Sequence, residues 1–172
     1  MSAVPQNVLL LTPESYRRID REIAKFPAEH KASAVMAALA IAQGQLGWLS
    51  QEVIEEIGCY LDMPPIAVYE VASFYGMYNL EAPGRFKITL CPNLPCALSG
   101  ANRAAAHLKE KLGVGFGETT ADGCFTLKEG ECLGACGDAP VLLVNNERME
   151  SFMSNEKLDA LLGELKQAKP DR

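Results

Sequence analysis

Four of the six cysteines stand in two close pairs, and all four lie after residue 90. The first pair is Cys91-Pro92-Asn93-Leu94-Pro95-Cys96, and the second is Cys132-Leu133-Gly134-Ala135-Cys136. Each pair is short enough to sit on one loop, so a fold that serves both must bring two loops to the same end. Pro92 and Pro95 favour a loop at the first pair. Gly134 and Gly137 allow close backbone approach at the second. Disulfides are one use for such thiols, but the sequence has no Lys or Arg before Arg17. It therefore lacks the basic start of a secretory signal and the Arg-rich character of an organellar transit segment. A cytoplasmic, bacterial-type chain is expected, in a reducing compartment where structural disulfides are rare.

Thiolates on two converging loops favour a soft metal centre, either an iron-sulfur cluster or zinc. Structural zinc sites usually draw on pairs two residues apart, whereas a spacing of four occurs in two-iron ferredoxins, so the pattern favours the cluster. A Rieske-type centre would need two histidines, and the two present, His30 and His107, fall in predicted helices or their margins. Cys91, Cys96, Cys132 and Cys136 are thus the expected metal ligands. A two-iron, four-thiolate centre is anionic and gains negative charge on reduction, so nearby donors matter. The two prolines offer no N–H, and the first loop is expected to donate less than Leu133 to Gly137.

The first 80 residues hold only Cys59 and carry helical periodicity, which predicts two domains: a helical bundle over 13–80 and an α/β domain over 85–167. Thr12-Pro13-Glu14 reads as a cap, a proline at the first helical position and an acid in the first turn. The helix it opens, with Ile19, Ile23 and Phe26 at helical spacing, should end before Pro27. A second is expected from about Lys31 to Gly47, and a third after Ser50 with Val53, Ile54, Ile57 and Leu61 inside. A short fourth follows Pro64 and Pro65. The second half reads β-α-β-β-α: strand 86–90, helix 97–112, strand 125–129, a hairpin of 141–144 with 148–152, and a helix over 154–166. That order predicts a mixed sheet covered by helices and an α+β class overall. A net charge of −6 and a pI near 5.0 argue against a nucleic-acid surface. The longest apolar run, nine residues from Ala34 to Ala42, is short of the roughly 18 a membrane span needs.

At the second pair the sequence resembles the thioredoxin-like 2Fe-2S ferredoxin subunits of bacterial NADH:quinone oxidoreductase (complex I), the E-subunit family. The likeness rests on Glu131-Cys132-Leu133-Gly134-Ala135-Cys136 with Asp138-Ala139-Pro140, on Asp122-Gly123-Cys124-Phe125-Thr126-Leu127, on Val71 to Tyr78, and on Gly47-Trp48-Leu49. It spans residues 13 to 166 or so and implies an N-terminal helical bundle followed by a thioredoxin-like α/β domain. It further implies one 2Fe-2S cluster and an electron-transfer role without catalytic residues of the chain's own. FMN and NADH would belong to a partner flavin- and NADH-binding subunit, with a large iron-sulfur subunit as neighbour, in the cytoplasmic peripheral arm of a membrane-bound complex. The same family supplies subunits of NAD-linked formate dehydrogenases and bidirectional hydrogenases. Two other classes stay in view: a thiol-disulfide enzyme using Cys91 and Cys96, disfavoured by a spacing of four instead of two, and a zinc-stabilised interaction module.

Other conspicuous residues have plain readings. Cys124 and Cys59 are expected to be small buried residues, and Gly113 to Gly117 a flexible connector, because it follows a helix instead of joining strand to helix. Tyr69, Phe74, Tyr75 and Tyr78 are expected to pack between the domains. Glu52, Glu55 and Glu56 read as a solvated helix face, and His107 as an ordinary helix residue.

Overall fold

The structure is a computed structural model that describes residues 9–168, so most of the N-terminal segment read for targeting signals lies outside the described residues. The chain divides into two compact units between Ala82 and Pro83.

In the first unit, α1 (Pro13–Ile23) starts where Thr12 accepts a hydrogen bond from the Ser15 amide through its hydroxyl, at 3.2 Å. It stops at Ile23, so Phe26 lies beyond the helix and is exposed. A 3-10 segment, Ala28–Ala34, precedes α2 (Val35–Leu46), which therefore begins later than the periodicity suggests; His30, at φ −113° and ψ 29°, breaks the helical path there. Gly47 closes α2 in the left-handed region at φ 87°, a conformation glycine adopts without a Cβ penalty. Ser50 caps α3 (Gln51–Leu61), and Pro65 opens α4 (Pro65–Phe74). Ile19, Leu39, Leu49, Ile57, Leu61 and Val68 form the centre of this unit's core.

Two expectations for α3 are corrected. Cys59 is exposed, because one residue is a rotation of about 100° on a helix and the buried position is Gly58. A Cβ at Gly58 would come within 3.0 Å of the Met63 carbonyl oxygen and 3.4 Å of Pro65 Cα, so the turn into α4 depends on its absence. Glu56 is no solvated residue either. Its carboxylate accepts from the Leu10 and Leu11 amides, at 2.9 and 3.0 Å, and from the Tyr16 hydroxyl at 2.6 Å. Tyr78 also belongs to this core, with its hydroxyl donating to the Met36 carbonyl at 2.8 Å.

The second unit is a four-stranded mixed sheet in the order β2-β1-β3-β4. β1 (Phe86–Leu90) runs parallel to β2 (Phe125–Glu129) and antiparallel to β3 (Leu142–Val144), which pairs with β4 (Arg148–Glu150). Strand alternation sends Ile88, Leu90, Phe125, Leu127, Leu142 and Val144 into one core with Leu108 and Leu158. The helices α6 (Ala101–Leu112) and α7 (Asn155–Gln167) cover that face, and Asp159 on α7 joins them through His107 Nε2 at 2.8 Å and Lys111 Nζ at 3.2 Å. The expected single helix over 97–112 is two: α5 (Leu94–Leu98) and α6, separated at Gly100, whose φ of 105° no continuous helix permits. Among the described residues no helix is long and apolar enough to cross a membrane.

Candidate metal centre

β1 ends at Leu90, and Cys91 follows it, 3% exposed, with its amide donating to the Val141 carbonyl at 3.2 Å. The next residues form a capped helical turn and not the loop expected from two prolines. Asn93 accepts from the Leu94 amide through its side-chain oxygen, and Pro95 sits in the first turn of α5, where a helix has no use for an N–H. Cys96 is consequently on a helix, 1% exposed. Cys91 and Cys96 share a small cluster with Ala101 and Val141, and Leu133, Ala135 and Ala139 pack against it.

The second pair arrives on the segment after β2. The Gly130 amide donates to the Leu90 carbonyl at 2.8 Å, and Asn93 Nδ2 to the Glu131 carbonyl at 3.0 Å, so both cysteine segments are joined by backbone-directed bonds. Cys132 and Cys136 are exposed, and Cys136 opens a 3-10 turn, Cys136–Asp138. Gly134 lies in the left-handed region at φ 73°, whereas Gly137 does not and has open space where a Cβ would go; only the first is demanded by the backbone.

Burial pushes the Cys96 thiol pKa up, and the adjacent Cys91 and Cys136 push it the same way, while a backbone hydrogen bond from Val141 opposes them. Cys91, Cys96 and Cys136 are thus near neighbours. Among the described residues no three Cys, His, Asp or Glu side chains close around a single ion. A four-cysteine two-iron cluster asks for less at each iron, namely two thiolates, and Cys91 with Cys96 is a ready pair. The donor set, all sulfur with no histidine, suits that centre. So does a buried oxygen close by: Thr89 Oγ1, two residues before Cys91, has no hydrogen-bond partner.

Cys124 stands apart from this group. It precedes β2, whereas Cys91 follows β1, and the strands are parallel with Phe86 opposite Phe125, so about 20 Å along the strand direction separates the two positions. Its Sγ accepts instead from Arg85, at 3.5 Å. Gly113 to Gly117 is a packed connection, not a loose one: Gly113 caps α6, Val114 and Phe116 pack on the sheet core, and Lys109 lies over the Phe116 ring at 4.2 Å. The sequence reading missed Asn93, Val141 and Thr89. An asparagine two residues ahead of a proline is a recognisable cap signal. The other two have none: Val141 is brought to Cys91 by the pairing of β1 with β3, and Thr89 reads as an ordinary strand residue until its hydroxyl is seen to be buried without a partner.

The family profile of the thioredoxin-like 2Fe-2S ferredoxins matches residues 19–166. The chain is 38% identical over 151 residues to the second subunit of the NADH-quinone oxidoreductase of Thermus thermophilus, covering 88% of this chain and 83% of that protein. It is 42% identical over 143 residues to the E-type subunit of the NADH-quinone oxidoreductase of Rickettsia felis, covering 83% and 85% respectively. Its fold is similar to part of an NAD+-reducing NiFe-hydrogenase in the H2-reduced state, with a TM-score of 0.69 at 24% identity; the match covers 80% of this chain and 23% of the hydrogenase chain. By profile and by relatives, the chain belongs to the thioredoxin-like 2Fe-2S ferredoxin family.

Proposed function

We propose that Cys91, Cys96, Cys132 and Cys136 hold one 2Fe-2S cluster, and that the chain is the electron-transfer subunit of an NADH:quinone oxidoreductase of the complex I type. The observation that carries this is the buried thiol pair Cys91 and Cys96, with Cys136 against it, on segments joined through Asn93 and Glu131. When bound, such a cluster takes up and returns one electron. The residues of the chain supply the setting: Cys91 and Cys96 exclude water from one side, the Val141 backbone donates toward sulfur, and Asn93 holds the two ligand segments in register.

In this reading FMN and NADH sit on a partner subunit, a large iron-sulfur subunit lies next to it, and the assembly forms the cytoplasmic peripheral arm of a membrane-bound complex. Support comes from the names of the relatives in Thermus thermophilus and Rickettsia felis. The fold likeness to a hydrogenase chain favours, second, an equivalent subunit of an NAD-linked hydrogenase; co-purification from the native source distinguishes the two by the subunits recovered.

The test is electron paramagnetic resonance of anaerobically purified, dithionite-reduced protein, with iron, sulfide and zinc assayed on the same sample. The expected result is two irons and two sulfides per chain, with a reduced-cluster signal that is lost or altered when any of the four cysteines is changed to Ser. A folded, silent sample holding stoichiometric zinc would replace the reading with a zinc-stabilised interaction module.

A further inference from the structure

Thr89 is the second-to-last residue of β1, 8% exposed, and its Oγ1 is the one buried side-chain oxygen or nitrogen without a hydrogen-bond partner among the described residues. A hydroxyl held away from water and from any acceptor costs about 1–3 kcal/mol, so a native strand that keeps one calls for a reason. Valine would fill the same space and suits a strand better.

Its position supplies one. Strand alternation turns Ile88 and Leu90 into the sheet core and leaves Lys87 and Thr89 on the other side, with Cys91 just beyond the strand end. Across the sheet Thr89 faces Lys128 on β2 and Leu143 on β3. The segment leading into the second cysteine pair lies directly over it. A Cβ at Gly130 would come within 2.8 Å of Thr89 Cγ2 and 3.8 Å of Leu133 Cδ2, the residue after Cys132. Glycine at 130 therefore lets this segment settle onto the Thr89 methyl, and the other branch of the side chain, the hydroxyl, is the one left unpaired next to the ligand segments.

We propose that the Thr89 hydroxyl donates a hydrogen bond to sulfur of the cysteine-held centre and thereby favours its reduced state. The inference rests on the proposed function, since it needs a cluster to receive the bond. An O–H donor stabilises the more negatively charged form more than the less charged one, so removing it shifts the equilibrium toward oxidation. With one hydrogen bond at stake, the ratio of reduced to oxidised cluster at a fixed ambient potential should fall by about fivefold.

The experiment is a redox titration, followed by paramagnetic resonance, of the full chain loaded with its cluster, in wild type, Thr89→Val and Thr89→Ser. Thr89→Val is expected to hold the same iron and sulfide but to titrate at a more negative potential. Thr89→Ser, which keeps the hydroxyl, should stay near wild type. Denaturant unfolding of the cluster-free chain provides a second readout: there Thr89→Val should be at least as stable as wild type, because it removes an orphaned hydroxyl. Equal potentials in all three proteins, or an equal shift in Val and Ser, would overturn the inference while leaving the cluster in place. A wild-type chain that binds no iron and sulfide would remove the proposed function itself, and this inference with it.

Discussion

Replacing Glu56 with Ala should loosen the start of the chain far more than replacing its neighbour Glu55, although both look alike on a helical wheel. Glu56 receives three hydrogen bonds, from the Leu10 and Leu11 amides and the Tyr16 hydroxyl. Leu10 is exposed, so water replaces the carboxylate there at little cost. Leu11 is 3% exposed and belongs to the core. Tyr16 is half-buried, and burial followed by the Glu56 bond raises its pKa, so its hydroxyl keeps its proton at any ordinary pH. Two bonds therefore count, at about 1–1.5 kcal/mol each, for a total of about 2–3 kcal/mol. In a unit of this size such a loss lowers the melting temperature by roughly 10–15 °C. Glu55, which accepts from the exposed Gln51 one turn earlier, should cost under about 0.5 kcal/mol when removed. Urea unfolding gives the global figure, and native-state hydrogen exchange at the Leu11 amide gives the local one, with protection falling by about the same free energy. Equal effects for the two alanine variants, or unchanged exchange at Leu11, would refute the clamp.

Three further outcomes follow from burial and backbone. Gly84→Ala puts a Cβ 2.9 Å from the Gly123 carbonyl oxygen and 3.1 Å from the Phe125 carbonyl carbon. Neither backbone atom can rotate away, so a loss of about 1–3 kcal/mol in thermal unfolding is expected, whereas Gly163→Ala, in open space on α7, should gain about 0.5–1 kcal/mol. Lys87, 3% exposed, has its pKa lowered from 10.5 to about 8, by burial first and then by the charge of Lys128. The folded state thus sheds this proton before the unfolded state does, and stability should rise between pH 8 and 10.5, by roughly 2–3 kcal/mol. Denaturant unfolding across that window should show the increment in wild type and lose it in Lys87→Met; a flat wild-type profile would contradict the burial argument.

Much of this architecture is legible in the sequence because its signals are local. Thr12-Pro13, Ser50 and Ser154 announce helix starts, and Gly47 a helix stop, through bonds made within one turn. The strand 86–90 matches its expected limits because Phe86, Ile88 and Leu90 alternate with the polar Lys87 and Thr89, a period of two that marks a strand. The misreadings come from competition between local rules. Two prolines near Cys91 argue for a loop, yet Asn93 ahead of Pro95 is also a helix start, and the cap prevails. Cys59 and Gly58 are adjacent, and periodicity alone leaves open which one meets the turn at Met63. The candidate site divides in the same way: the four thiols stand out by spacing, whereas Val141 reaches Cys91 only through the pairing of strands more than 50 residues apart, and Thr89, though two residues from Cys91, looks like any strand threonine until its burial is known.

The asymmetry of the four thiols bears on how such a centre would age. Cys91 and Cys96 are sealed, at 3% and 1% exposure, while Cys132 and Cys136 stand in solvent. Peroxide and chelators reach a site through its accessible sulfurs, and oxidation of thiols follows exposure. In the isolated chain, damage would begin on the outer side, and sulfenic acid would form at Cys132 or Cys136 before either inner thiol is touched. The inner pair, fixed at the end of β1 and on α5, would outlast the loss of its iron, leaving half of the site in place on which to rebuild.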